Sequence, residues 1–146
     1  MRMAFETAMR SAVVSLLEAY ATSASLKLQV YRARPRSIYT PTAFIEAQRE
    51  QLVEVGPNLF QRVVTTDVRV LHGSFDGGDE VDQRDAFVDG FASAVQDDPH
   101  AVGGNTLIVV ASVADDPEYV PAWLAPDEQR SYYATVISVE GRLEDY

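Results

Sequence analysis

Apolar positions near the start of the chain recur at intervals of three and four. Phe5, Ala8, Met9, Ala12, Val13, Leu16, Leu17 and Tyr20 fall on one stripe of an amphipathic helix over roughly residues 3–22. Thr22, Ser23 and Ser25 give it a polar exit. The period then drops to two. Leu26, Leu28 and Val30 alternate with Lys27, Gln29 and Tyr31, which predicts a half-buried strand. A basic connector, Arg32-Ala33-Arg34-Pro35-Arg36, follows, and Pro35 and Pro41 bias it away from helix.

Residues 43–55 carry two readings. Ile45, Ala47, Val53 and Val55 would share one side of a strand, while 46–52 would also make a tolerable helix. Gly56-Pro57-Asn58 marks a turn, and beyond it Val64, Thr66, Val68 and Val70 alternate with Thr65, Asp67 and Arg69. Residues 43–71 therefore read as a long β-hairpin. A Gly/Asp-rich loop over 73–80 leads to Asp82 and Asp85, spaced like a capping box. Phe87, Val88, Phe91, Ala94 and Val95 then form the stripe of a second helix, about 83–96, which Pro99 ends. Asp97 and Asp98 lie where they oppose its dipole, and the sequence offers no reason for them. Gly103-Gly104-Asn105 turns the chain into an apolar, β-branched run over 106–113. A long loop over 115–130 holds Pro117, Pro121, Pro126 and the sole tryptophan, Trp123. A last strand over 132–139 precedes a polar tail at about 140–146. The expected fold class is α+β: a largely antiparallel four-stranded sheet, two helices on one face, and an extended β-hairpin.

A chain of 146 residues suits one domain spanning 1–146, built on one core. With 47% hydrophobic and 23% charged residues, disorder along the whole length is not expected. There is no cysteine, which removes disulfides and thiolate chemistry. Glu6 and Arg10 interrupt the first apolar run, so an export signal is not expected. No 18 apolar residues run together, so no membrane span is expected either. The net charge of −10 is unevenly spread. Residues 1–72 hold nine Lys/Arg against six Asp/Glu, and residues 73–146 hold three Arg against sixteen Asp/Glu. So acidic a chain should repel nucleic acid over most of its surface. The asymmetry is either two solvated faces or a device for head-to-tail association, in which unlike patches of neighbouring copies meet and close a ring.

Catalytic and metal signatures are wanting. His72 and His100 have neither cysteine nor a second histidine at ligand spacing. The loop Asp76-Gly77-Gly78-Asp79-Glu80-Val81-Asp82 fails the calcium-loop pattern, since its third position is Gly78, its sixth Val81 and its twelfth Phe87. It reads as a solvated turn, with a cation site as the alternative. Ser74 sits in no nucleophile elbow, and no lysine follows either glycine pair. No enzyme activity and no cofactor are expected. Trp123 either anchors its own loop or an interface.

Several segments resemble the tail terminator proteins of long-tailed bacteriophages, particularly those of actinobacterial phages. They are Tyr39-Thr40-Pro41-Thr42-Ala43-Phe44-Ile45, the strand Arg62 to Val70, and Arg84-Asp85-Ala86-Phe87-Val88-Asp89-Gly90-Phe91. Gly104-Asn105-Thr106-Leu107, Asp116-Pro117-Glu118-Tyr119-Val120-Pro121-Ala122-Trp123 and Tyr132-Tyr133-Ala134-Thr135 complete the set. The resemblance is one of overall pattern. It implies a structural virion protein of the tail or neck, assembled in the host cytoplasm. Such a protein forms a ring, a hexamer in this family, that caps the tail tube, stops its growth and docks the head connector or stopper. DNA passes through the lumen, and the acidic excess of this chain would prevent adhesion if part of it lines that lumen. The family brings no catalytic residues. Contact candidates by charge and residue type are Arg32, Arg34, Arg36, the turn Gly56, Pro57 and Asn58, and Trp123. The alternatives are another neck protein (a stopper or adaptor) or, in a different class, a small-ligand or cation-binding module.

Overall fold

The apolar stripe of the first helix becomes its buried face. The computed structural model describes residues 2–39, 41–74, 79–103, 106–116, 118–119 and 131–143. Helix α1 spans Arg2–Ser23, and Phe5, Met9, Val13 and Leu17, one turn apart, all point into the core. It ends in two crossed backbone bonds: Leu26 N–H donates to Ala21 O at 2.8 Å and Ser25 N–H to Thr22 O at 3.2 Å. This closing motif requires a left-handed residue, and Ser25 supplies it at φ 56°.

Six strands follow in two groups around the second helix: β1 (Gln29–Tyr31), β2 (Thr42–Gly56), β3 (Leu59–Ser74), α2 (Asp79–Asp97), β4 (Thr106–Asp115), β5 (Glu118–Tyr119) and β6 (Ser131–Leu143). They make one sheet in the order β1-β2-β3-β6-β4, with β5 continuing the β4 side of β6. Phe87, Phe91 and Val95 of α2 join the α1 residues in a single cluster over Val64, Val68, Val70, Ile137 and Val139. Both helices thus cover the same face, α1 over β1–β3 and α2 over β3, β4 and β6. This is the expected α+β arrangement.

The sheet itself departs from the expected four antiparallel strands. It has five positions across, and β1 runs parallel to β2, with Val30 opposite Ala43. The chain leaves β1, crosses to the face away from the helices, and buries Ile38 there before re-entering at the start of β2. Ile38 packs with Phe44, Leu71, Tyr132 and Ala134 in a second cluster. That crossing makes a parallel pair possible without a helix between the strands. The expected polar tail at 140–143 is also corrected: these residues are strand, paired with β3 on one side and β4 on the other. Their polarity alternates. Glu140 and Arg142 face away from the helices, while Val139 and Gly141 face them. Residues 144–146 lie outside the described residues.

The hairpin reading of 43–71 holds. Register runs from Thr42↔Leu71 to Gly56↔Leu59, and β6 joins β3 only from Val63 onward. The last turns of β2 and β3 therefore project past the sheet as a two-stranded ribbon.

Candidate interaction surfaces

Part of the charge asymmetry falls at opposite edges of the sheet, while Arg49, Arg62 and Arg69 are paired on its inner strands. The basic connector lies at the β1 edge. Arg32 Nη1 donates to Ser11 Oγ of α1 at 3.0 Å, and the Arg34 guanidinium lies 4.8 Å from the Phe44 ring centroid. Arg32 and Arg36 are exposed and make no ion pair among the described residues. Buried Ile38 holds this connector down two residues later. On the β4 side, α2 presents exposed Asp85, which shares Arg84 with Asp115 at the end of β4, and Asp89 one turn on; exposed Asp116 follows the strand, while Asp97 ends α2 and Asp98 lies toward α1. Arg84 is the one described cation of α2, and it is spent on Asp85 at 3.0 Å and Asp115 at 2.9 Å.

The hairpin candidates Gly56, Pro57 and Asn58 form the turn itself. Pro57 fixes its own φ and Asn58 sits at φ 59°, a position that asparagine tolerates better than most residues. Around the turn Leu52 (59% exposed), Val55, Leu59 and Phe60 (49%) stand in solvent. Leu52 and Phe60 are diagonal neighbours on one face, since Leu52 pairs with Arg62 and Phe60 with Glu54. An apolar tip on an otherwise unsupported ribbon is the kind of surface that partners cover. Trp123 and the 75–78 part of the acidic loop lie outside the described residues.

Two polar clusters were not foreseen. On the face away from the helices Arg69 bridges Glu46 (2.8 Å) and Asp116 (2.6 Å), tying β3 to β2 and to the end of β4. Beside it Asp67 accepts from Arg49 at 2.6 Å and from Ser138 Oγ at 2.7 Å. At the far end of β3, His72 is buried against Thr135, with Nε2 3.0 Å from the hydroxyl oxygen. Thr135 Oγ1 in turn lies 3.4 Å from Asp115 Oδ1, the carboxylate that Arg84 holds. Burial pushes the His72 pKa down to about 4; the Arg84 charge acts in the same direction and Asp115 opposes it. The sequence signal for His72 is its place in the alternation Val68, Val70, His72, on the side away from Arg69. Among the described residues no three His, Asp or Glu side chains converge as metal ligands.

Compared with known proteins, the chain matches no family model and no curated protein.

Proposed function

We propose that this chain is a structural ring subunit of the tail-terminator kind, closing the end of a phage tail tube without catalysing a reaction. The observation that carries the reading is the placement of charge: a basic connector at the β1 edge and an acidic helix and strand end at the β4 edge. Copies that meet edge to edge bring unlike charges together, and the contact is heterologous, so it repeats until a ring closes. A homo-hexamer is the expected ring. The projecting hairpin with its apolar tip then contacts the next layer, tube protein on one side or the head connector on the other. Acidic residues left facing the lumen keep DNA from adhering as it passes.

Charge reversal tests this directly. Arg32→Glu with Arg36→Glu on one edge, or Asp85→Lys with Asp89→Lys on the other, should each abolish ring formation with tail tube protein, measured by light scattering and electron microscopy. Combining all four substitutions in one chain should restore it. A monomer indifferent to tube protein, or particles whose copies touch through equivalent patches, sinks the proposal.

A further inference from the structure

A cavity of about 280 Å³ opens between the C-terminal end of α1, the start of α2 and β3. Leu26, Leu28, Pro41 and Ala86 line it, and Phe87 and His72 close one side. An apolar cavity of about 150 Å³ already accommodates benzene. The wall is aromatic in character. Phe87 meets Tyr20 edge-on at 5.3 Å between centroids and His72 at 5.9 Å. A further ring would extend the same edge-to-face arrangement.

Of the polar side chains in this wall, exposed Gln83, half-buried Tyr20 and buried His72, the imidazole is the one whose tautomer is fixed by its partners. Asp115 is held by Arg84 and takes the Thr135 hydroxyl hydrogen, so that hydroxyl faces His72 as an acceptor. With the hydroxyl turned toward Asp115, His72 Nε2 is the nitrogen that carries the hydrogen and donates it to Thr135. Nδ1 is left as a bare acceptor, without a hydrogen-bond partner among the described residues. The residue as a whole is 6% exposed, and the cavity is what it faces. Tyr20 does not compete for that nitrogen, because its hydroxyl donates to Ala86 O at 3.2 Å.

We infer that this cavity binds a small uncharged aromatic molecule bearing one hydrogen-bond donor, of which phenol is the simplest. The ring fills the apolar space against Phe87, and its donor reaches His72 Nδ1. Binding here does not depend on ring assembly, so the two proposals stand or fall separately.

The test titrates the whole protein with phenol and, in parallel, with toluene, which has the ring but no donor. Calorimetry should show one saturable phenol site and at least a tenfold weaker affinity for toluene. The His72 Nδ1 resonance should move in the direction of an accepted hydrogen bond. Ala86→Leu, which narrows the cavity, should remove phenol binding while the unfolding midpoint stays put. The inference is overturned if phenol fails to saturate a site, if toluene binds equally well, or if the His72 resonance is unmoved. The ligand comparison needs no variant, so a misfolded Ala86→Leu chain would not rescue the idea.

Discussion

Gly141 of β6 lies directly beneath Met9 of α1, so close that a Cβ on Gly141 would overlap the Met9 sulfur. Met9 is fully buried among Val64, Val68 and Val139, which leaves its thioether little room to retreat. Gly141→Ala should therefore destabilise the fold by overpacking, by about 1–3 kcal/mol. Urea unfolding checks this, with an unchanged denaturant slope as the sign that only stability moved.

Gly90 of α2 stands in the same relation to Tyr20, and the balance there is different. A methyl group would overlap the Tyr20 ring and displace it from Ala86 O and Phe87. Tyr20 is only half-buried, however, and can swing outward. Alanine also gains about 1 kcal/mol of helix propensity over glycine. Gly90→Ala should thus cost less than Gly141→Ala in the same melts. An equal or larger loss would show that the α1–α2 contact is stiffer than its exposure implies.

Ser25 offers the opposite case, a substitution that should stabilise. It holds φ 56° to complete the α1 terminus, a conformation glycine adopts without strain. Ser25→Gly should raise stability by roughly 0.5–1 kcal/mol, because the strain of a left-handed residue with a Cβ is relieved. A lower unfolding midpoint would mean that the serine side chain contributes more than its backbone costs.

The expectations that held and those that failed separate by whether one element carries its own signal. Phe5, Met9, Val13 and Leu17 announce α1, and Gly56-Pro57-Asn58 announces the hairpin, because period and turn chemistry are local. The parallel pairing of β1 was not legible. It depends on Ile38 reaching Phe44 and Leu71, contacts that no spacing in the sequence specifies. Residues 140–143 were misread because Glu140 and Arg142 alternate with residues that face the core, and polarity was averaged over both. Of the contact candidates, the arginines and the turn could be chosen by charge and exposure. The Thr135–His72 pair could not, since 63 positions separate its members.

Ile38 also makes a prediction about the basic connector. It is 1% exposed and is the one residue between Arg32 and Tyr39 that enters a hydrophobic cluster on the far face. Ile38→Ala should cost about 2–5 kcal/mol and release the connector from the sheet. Hydrogen exchange would report both effects: faster exchange at 29–31, where β1 loses its anchor, and little change in α2. Uniform acceleration across the chain would indicate global loss of stability instead of local release.

The buried imidazole of His72 sets how the fold responds to acid. Its folded pKa of about 4 lies below the ordinary 6.5, so between those values the unfolded chain binds a proton that the folded chain refuses. The contribution of the neutral imidazole to stability is complete above about pH 6.5 and is lost as pH falls toward 4, by up to roughly 3 kcal/mol. The charges that face the ring work against each other there, Arg84 favouring the neutral form and Asp115 the protonated one. Replacing the imidazole in His72→Gln should flatten this part of the stability profile, whatever it does to stability at pH 7. Urea melts of both proteins at half-unit steps from pH 7 to 4 measure the difference. Parallel profiles for the two would mean that the acid sensitivity resides in the carboxylates and not in His72.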